Sequence, residues 1–417
     1  MDIISIGGDN MIIRPIYLKT LRKYRDIPLV KILAGIRRCG KSTILEMLKN
    51  DLMESGVSES NIISVRYTAE TLNRSMTPQE MFDEIKSQMS GQGKYYLLLD
   101  EVQNLRGWSL WVEKLYRRGV NLIITGSNAN LLSDDIAAVL SGRFLEIRIY
   151  PFSASEYREH VTGTGNESLT DYAVYERYLN YGGYPEVALT PQVTQGYLSS
   201  LYDSTIVKDI VRRYNIRKVD ELYSIANWLL ANFTNAFSAS SLAGELDMKS
   251  VTTVQKYCRF LSNTYLFQFL PRFNSKFKLM NKADRKCYVI DTGFISARAF
   301  ELSANRGRLL ENMIFTELLK RGYDLKKNEL FYYRSRNEKE VDFVYRKGIA
   351  TQGLIQVCYD MSGKGTRKRE ISSLIECADE LRNKNLQIVT WNQDEIIEQD
   401  GYTIKVISIG NWLSKDL

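Results

Sequence analysis

The chain has 417 residues, 44% of them hydrophobic and 25% charged, which excludes collagen, disorder and a small disulfide scaffold and indicates two or three globular domains. Its five cysteines form no C-x-x-C pair and its only histidine is His160, so two-histidine zinc sites are excluded and hydrolytic chemistry would depend on carboxylates, lysine and metal. The formal net charge is +7, and residues 251–300 alone carry nine basic and two acidic side chains, a local field that would attract a polyanion.

The N-terminal sequence MDIISIGGDN lacks the basic start and the apolar run of a signal peptide, and the chain contains no run of about eighteen apolar residues. We therefore expect a cytoplasmic protein with no membrane partner. Up to Tyr150, short apolar runs alternate with helix-length amphipathic segments, a pattern typical of parallel strands buried on both faces. An α/β domain is predicted over residues 1–150, with strands in VKILAG (30–35), NIISVRY (61–67), YYLLLDE (95–101), NLIITGSN (121–128) and FLEIRIY (144–150).

The segment that follows the first strand carries a phosphate-binding motif. Residues 35–42, GIRRCGKS, fit the pattern G-x-x-x-x-G-K-[ST] between an apolar run and a helix-like segment. Backbone N–H groups of such a loop wrap a polyphosphate, while Lys41 would contact the β- and γ-phosphates and Ser42 would bind Mg²⁺. ATP and Mg²⁺ are the expected cofactors. The expected nucleotide-binding residues are Gly35, Arg38, Cys39, Gly40, Lys41, Ser42 and Thr43.

Two adjacent carboxylates end the strand YYLLLDE. Asp100 would hold Mg²⁺, directly or through water, and Glu101 would orient and deprotonate the attacking water, although a capping pair has the same pattern. On the next strand, Thr125, Ser127 and Asn128 are either a γ-phosphate sensor or an ordinary turn. Arg143, between a helix and a strand, could stabilise transition-state charge in its own subunit or in a neighbour's.

Beyond Pro151 the pattern becomes helical, and three regions are predicted. Residues 151–216 form a helical lid with a sharp turn at YGGYPEVAL (181–189). Residues 217–286 read as a winged helix: three short amphipathic helices, two of them starting at the capping serines Ser238 and Ser250, and then a β-ribbon over residues 266–279. Residues 287–417 mix helix with strands and form a separate α/β domain.

The basic window suggests contact with nucleic acid. Lysine, arginine and short polar side chains would position phosphates, and Gln255 could contact a base edge. The opposing interpretation is a packing or protein-docking module. The candidate residues are Lys249, Thr253, Gln255 and Lys256 on the third helix and Arg272, Lys276 and Lys278 on the ribbon.

The whole pattern resembles a family of bacterial and archaeal AAA-type ATPases with a C-terminal domain of unknown function and restriction-endonuclease-like fold. The resemblance covers nearly the whole chain and rests on AGIRRCGKST, LLLDEVQ, TGSNANLL, LSGRFLEIRIYPFSASEY, YGGYPEV, RLLENMIFTEL and RSRNEKEVDFV. It implies ATPase roles for Lys41, Ser42, Asp100 and Glu101. It also implies Asn128 as a sensor-like position and Arg143 as the family's arginine, which would act in trans only if subunits assemble.

A nuclease of this fold needs a helical acid, a strand acid and a (D/E)-x-K element around Mg²⁺. Glu311 and Asp342 fit the first two, but the third reads Gln356-Val357-Cys358, and neither glutamine nor cysteine replaces the lost charges. We therefore expect a degraded nuclease site, with Lys364, Arg367 or Lys368 as possible substitutes for the lysine. Three functions remain open: a DNA-coupled ATPase, a slow nucleotide switch acting on a protein partner, and, with least support, an ATP-gated nuclease.

Overall fold

The computed structural model describes residues 12–67, 77–89, 93–105, 107–127, 139–140, 142–163, 169–190, 192, 194–298 and 306–414. The chain divides into two compact units, Met1–Pro151 and Phe152–Leu417. Among the helices of the described segments, none has the length and apolar character that crossing a membrane requires.

The first unit is built on a parallel sheet. Its described strands are β1 (Val30–Ala34), β2 (Ile62–Arg66), β3 (Tyr96–Asp100), β4 (Asn121–Gly126) and β5 (Phe144–Arg148). Its described helices are α1 (Pro15–Tyr24), α2 (Lys41–Glu54), α3 (Pro78–Gln88) and α4 (Trp108–Arg117). The strand order is β2-β3-β4-β1-β5, every pairing is parallel, and β1, β3 and β4 are buried along their whole length. The predicted parallel α/β domain is confirmed, and its strand order brings the carboxyl ends of β1, β3 and β4 side by side.

The second unit begins with helices packed around a glycine turn. The helices are α5 (Ala154–Gly163), α6 (Asp171–Tyr181), α7 (Pro185–Leu189) and α8 (Thr194–Ile206). The sharp turn predicted after α6 is confirmed, since Gly182 has φ +78° and Pro185 starts α7. The Gly183 N–H donates to Asp291 Oδ2 at 2.8 Å, and the Gly183 carbonyl accepts from Phe152 N at 2.7 Å. Both glycines therefore lie where backbone and a buried carboxylate approach closely.

Three helices and a small sheet follow. The elements are α9 (Val219–Ala231), β6 (Ala236–Phe237), α10 (Ala239–Glu245), α11 (Val251–Asn263), β7 (Phe267–Pro271), α12 (Phe277–Lys282), β8 (Arg285–Val289) and α13 (Thr292–Arg298). Ser238 and Ser250 cap α10 and α11 as expected, their hydroxyls accepting from Ser241 N and Thr253 N.

The ribbon predicted over residues 266–279 is wrong in its second half. Residues 277–282 form α12, and the strand that pairs with β7 is β8, which lies across the predicted boundary between residues 286 and 287. Met280 lies in the hydrophobic core of the C-terminal sheet, and Phe273 packs against that core. These tertiary contacts outweigh the local strand preference of the segment.

The C-terminal region is a six-stranded mixed sheet with helices. Its elements are α14 (Arg306–Lys320), β9 (Leu330–Arg334), β10 (Glu340–Lys347), β11 (Ala350–Val357), α15 (Lys364–Leu381), β12 (Leu386–Thr390), β13 (Glu395–Gln399), β14 (Tyr402–Ser408) and α16 (Ile409–Leu413). The strand order is β13-β14-β12-β11-β10-β9, with β11, β12 and β14 parallel. The predicted α/β composition is confirmed, and β13 is a strand that the sequence pattern did not indicate.

Candidate functional site: a phosphate loop facing two carboxylates

The phosphate loop, residues 35–42, connects β1 to α2. Arg38 and Gly40 have φ values of +60° and +97°, and α2 begins at Lys41 directly after the left-handed Gly40. A Cβ on Gly35 would lie 2.1 Å from the Ile149 carbonyl oxygen, so only glycine fits there. Successive backbone N–H groups next to a helix N-terminus form a concave site for an anion. The local conformation therefore suits a bound phosphate chain.

Lys41 is buried inside this loop. Its Nζ donates to the carbonyl oxygens of Gly35 and Ile36, both at 3.0 Å, and lies 3.7 Å from Glu101 Oε1. The ammonium group is therefore held between the loop and the end of β3, where a polyphosphate wrapped by the loop would meet it. Lys41 and Glu101 were both predicted at the site, and the structure brings them together.

Asp100 and Glu101 lie at the carboxyl end of β3, between β2 and β4. Asp100 Oδ1 accepts from the Thr125 hydroxyl at 2.6 Å, and Asp100 Oδ2 accepts from Arg66 Nε at 2.8 Å. The Thr125 hydroxyl also accepts from Glu101 N at 2.8 Å, and Gln103 Nε2 donates to Glu101 Oε2. The Thr125 hydroxyl therefore links the Asp100 carboxylate to the backbone N–H of Glu101.

Arg66 and Arg14 were not predicted as site residues. Arg66 is the cross-strand neighbour of Asp100 in the β2–β3 register. The buried Arg14 donates from Nη1 to Cys39 O at 3.2 Å and to Tyr150 O at 2.8 Å, which ties the phosphate loop to the end of β5. The sequence signal for Arg66 is a charged residue at the carboxyl end of a strand; Arg14, ahead of the first strand, has no comparable signal.

The other residues predicted at the nucleotide site differ in their exposure to solvent and in their contacts. Ser42 is half-buried in the first turn of α2, and Arg38 and Thr43 are exposed. Cys39 is buried, its thiol donates to Ile149 O at 3.3 Å, and burial raises the pKa of that thiol, so its side chain packs the loop. Ser127 accepts a 3.4 Å hydrogen bond from Gln103. Asn128 lies outside the described residues.

Arg143 lies at the other edge of the sheet. It directly precedes β5, and its carbonyl accepts from Val30 N at the start of β1, whereas the phosphate loop follows the end of β1. A five-residue strand separates the two levels by about 16 Å. The backbone of Arg143 therefore lies at the opposite end of β1 from the phosphate loop of the same chain.

The basic window separates into two surfaces and a buried group. Lys249 is exposed just before α11, and Thr252, Gln255, Lys256 and Arg259 are exposed on one face of that helix, here called the α11 face. Thr253 is half-buried beside its cap. Arg259 was missed, although its spacing of seven from Thr252 indicates the same face.

The residues predicted on the ribbon lie elsewhere. Arg272 donates to the backbone carbonyl of Arg334 on β9 at 3.0 Å, and Lys276 and Lys278 are exposed at the start of α12. They follow the segment that packs against the C-terminal sheet, so they do not extend the α11 face along a ribbon. Lys286, also in the basic window, is fully enclosed.

The predicted nuclease-like residues do meet, but around a lysine. Lys286 Nζ lies 2.9 Å from Glu311 Oε1, 2.8 Å from Glu340 Oε1 and 2.9 Å from Asp342 Oδ1. Burial alone would lower the pKa of Lys286, but the carboxylates of Asp342 and Glu311 raise it well above its ordinary value. Burial and the neighbouring Asp342 raise the pKa of Glu311. Gln356 instead donates to Glu370 Oε2 at 2.7 Å.

A phosphate loop after a buried strand, facing two carboxylates across an intervening strand of a parallel sheet, is the arrangement of a P-loop NTPase domain. The family model described as an AAA domain matches residues 28–158, and models of two domains of unknown function match residues 172–305 (DUF8612) and 306–412 (DUF4143). An uncharacterized protein of Haemophilus influenzae is 31% identical over 410 residues, covering 97% of this chain and 98% of that protein. The chain therefore belongs to the same family as this protein, and its residues 28–158 form the AAA domain that the family model matches.

The chain is also similar to a second relative and to solved structures. The uncharacterized protein MJ1544 of Methanocaldococcus jannaschii is 29% identical over 406 residues, covering 92% of this chain and 88% of that protein. Among solved structures, the ADP form of the ORC2 protein of Aeropyrum pernix is 12% identical, covers 76% of this chain and 97% of that chain, and has a TM-score of 0.38. A structural likeness of that size carries no argument about function.

The position of Thr125 gives a first testable prediction. Thr125→Val removes the hydroxyl that contacts Asp100 and Glu101 but keeps the side-chain volume, so we expect a loss of about 1–3 kcal/mol in stability together with slower ATP turnover. The matched control is Thr205→Val, because Thr205 is equally buried but donates only to Leu201 O of its own helix. Calorimetric melting and steady-state hydrolysis of both variants provide the test. Equal ATP turnover in the two variants would show that the Thr125 hydroxyl does not contribute to hydrolysis.

Proposed function

We propose that the protein is a Mg²⁺-dependent ATPase whose nucleotide state is coupled to DNA binding. The observation that supports hydrolysis is the convergence of Lys41, Asp100 and Glu101 at the phosphate loop, although Lys41 begins α2 and the two carboxylates lie at the end of β3. Phosphoryl transfer requires little covalent chemistry from the protein, so positioned charges of this kind account for most of the catalysis.

Each site residue has a proposed role. The loop amides and Lys41 bind the β- and γ-phosphates. The Ser42 hydroxyl and the Asp100 carboxylate are oxygen ligands of the kind that Mg²⁺ prefers, and they would hold the ion, which supplies positive charge against the phosphates when bound. Thr125 and Arg66 keep the Asp100 carboxylate in one orientation. The loop amides, Lys41 and these two oxygen ligands together fit a nucleotide with bound magnesium.

Glu101 is the proposed general base. Its backbone sits at φ +55°, and its carboxylate is held by Gln103 and lies near Lys41, so it points toward the loop. In the nucleotide complex Lys41 would turn from the loop carbonyls and Glu101 to phosphate, which leaves the Glu101 carboxylate available to a water molecule. We further propose that Arg143 acts on the nucleotide of a neighbouring copy, which requires a homo-oligomer.

DNA binding is proposed for the α11 face in a winged-helix-like unit. This face combines two positive charges with polar side chains at helical spacing, and the Lys256 and Arg259 head groups lie 5.6 and 5.9 Å from the Phe260 ring centre. Such side chains neutralise phosphates rather than specify sequence.

The test is ATP hydrolysis by the full chain with and without single- and double-stranded DNA, at low and at moderate salt. DNA stimulation that weakens as salt rises is the expected result, because counterion release opposes binding at high salt. Slow turnover that is indifferent to DNA would instead favour the nucleotide switch that acts on a protein partner. No turnover under any condition would overturn the ATPase proposal.

The α11 face gives a second prediction. Lys256→Ala with Arg259→Ala should weaken DNA affinity about tenfold or more and reduce the slope of log affinity against log salt by about 2, since two phosphate contacts are lost. Lys405→Ala, an exposed lysine on β14, is the matched control and should leave both quantities unchanged. Fluorescence anisotropy with labelled duplex at several salt concentrations measures them. An unchanged salt slope in the double variant would exclude this face.

A further inference from the structure

Lys286 and the three carboxylates around it come from three separate elements of the chain. Glu311 lies on α14, and Glu340 and Asp342 lie on β10; these three residues are called the acid cluster. Lys286 lies on β8, which belongs to the small sheet that follows α9 and α11. Its side chain is 4% exposed, and its Nζ reaches all three carboxylates within hydrogen-bonding distance.

The remaining donors show that the acid cluster does not fit a divalent cation in this form. Glu311 Oε1 also accepts from the Tyr288 hydroxyl at 2.6 Å, Asp342 Oδ2 accepts from Val357 N at 2.9 Å, and Glu340 Oε2 accepts from Arg334 Nη2 at 2.9 Å. The amide oxygen of Gln356 accepts from Asp342 N at 3.3 Å, and its amide nitrogen donates to Glu370. The lone pairs that would bind Mg²⁺ are therefore largely taken by hydrogen-bond donors, and an ammonium group occupies the centre.

We propose that Lys286 is a built-in replacement for the metal ion of a nuclease-like site, and that the acid cluster with Lys286 is a metal-free clasp between β8 and the C-terminal sheet. A buried cluster of carboxylates requires a compensating cation, and a lysine can supply it without any ligand from solution. This inference concerns a second site and does not depend on the proposed ATPase function.

Other contacts next to Lys286 also join β8 to α14. The Tyr288 and Phe315 rings stack at 4.0 Å between centres, which joins β8 to α14. The Asn312 side chain accepts from Val289 N at 2.9 Å and donates to Val289 O at 2.8 Å, as a paired strand would. These contacts and the clasp together fix β8 to α14 and β10 of the C-terminal region at several adjacent residues.

Lys286 is also in a position where a nuclease lysine could act, so the test must separate the two roles. The two roles are distinguished by titrating the full chain with Mn²⁺ in the absence of nucleotide. Electron paramagnetic resonance measures the concentration of free Mn²⁺ during the titration. We expect the unaltered chain to show no Mn²⁺ site that depends on Asp342. Lys286→Ala should gain one such site, the combination Lys286→Ala with Asp342→Asn should lose it again, and Lys278→Ala, a change of an exposed lysine, should gain none.

Melting of the same variants gives a second readout. Lys286→Ala should lower the melting temperature, because three carboxylates lose their counter-ion, and Mn²⁺ should restore part of the loss. If Lys286→Ala does not fold, Lys286→Gln, which keeps the side-chain volume, serves for the same comparison. Three results would overturn the proposal: Asp342-dependent Mn²⁺ binding by the unaltered chain, DNA cleavage with Mn²⁺ that Lys286→Ala abolishes, or a folded Lys286 variant that gains no site.

Discussion

Glu101→Gln should bind ATP with nearly unchanged affinity and hydrolyse it about 10²- to 10⁴-fold more slowly than the unaltered chain, the range expected for the loss of a general base. Glutamine keeps the volume and can still accept from Gln103 and lie near Lys41, so the local structure is retained while the proton acceptor is lost. Because a uniform loss of binding would raise KM without lowering kcat, the two constants must be measured separately. Steady-state hydrolysis together with equilibrium binding of a fluorescent ATP analogue gives both.

The matched control for this substitution is Glu113→Gln. Glu113 lies on α4 in the same unit, and its carboxylate pairs with Arg117 one helical turn away and has no proposed role at the loop. We expect its kcat to stay within about twofold, since an i, i+4 surface pair contributes only about 0.3–0.5 kcal/mol. If Glu101→Gln kept full turnover, the general base would have to be another residue and the proposed role of Glu101 would be wrong.

Gly183→Ala should destabilise the second unit by about 2–4 kcal/mol, as over-packing and the loss of a buried hydrogen bond combine. A Cβ on Gly183 would lie 2.4 Å from the Phe152 carbonyl oxygen and 2.8 Å from Tyr178 Cε2, and the backbone contact leaves little room to adjust. The shift also withdraws the Gly183 N–H from Asp291, whose pKa burial already raises to about 6. Differential scanning calorimetry of the full chain would report the change as a lower melting temperature.

Gly196→Ala is the control for the effect of adding a methyl group. Gly196 lies in α8 of the same unit, and a Cβ there would meet no atom within 4 Å, so the substitution should be neutral or stabilise by up to about 1 kcal/mol through helix propensity. ATP binding should be retained in both variants, because neither glycine belongs to the first unit. Indistinguishable melting profiles for the two variants would contradict the close approach at Gly183.

Local patterns in the sequence were sufficient for the first unit. Strands buried on both faces appear as continuous apolar runs, and all five predicted runs contain one of the described strands. The phosphate loop is also local, since its glycines, lysine and serine lie within eight consecutive residues. Each serine cap of α10 and α11 is a contact with a backbone N–H only three positions later. Such features are encoded within one turn or one strand, so reading the sequence is enough to find them.

Where the sequence pattern left alternatives open, tertiary contacts add information that local sequence lacks. Thr125 fitted a sensor or a turn, and its hydroxyl donates to the Asp100 carboxylate and accepts from the backbone N–H of Glu101. Arg143 fitted a role in its own subunit or a neighbour's, and the β1–β5 register places it at the edge away from its own loop. The β-ribbon was predicted over residues 266–279, but a helix begins at Phe277, and Phe273 and Met280 pack on the core of the C-terminal sheet.

The sequence by itself determined the class of the first unit, its phosphate loop and its two carboxylates, because apolar periodicity and contiguous motifs are short-range properties. Only the tertiary structure decided which charges are available at a surface. Lys286 and Lys256 both belong to the same basic window, yet one neutralises three buried carboxylates and the other lies on an exposed helix face. The partner of a charge is chosen by long-range packing, and Lys286 meets an acid 56 residues away, a distance at which no local pattern specifies the contact.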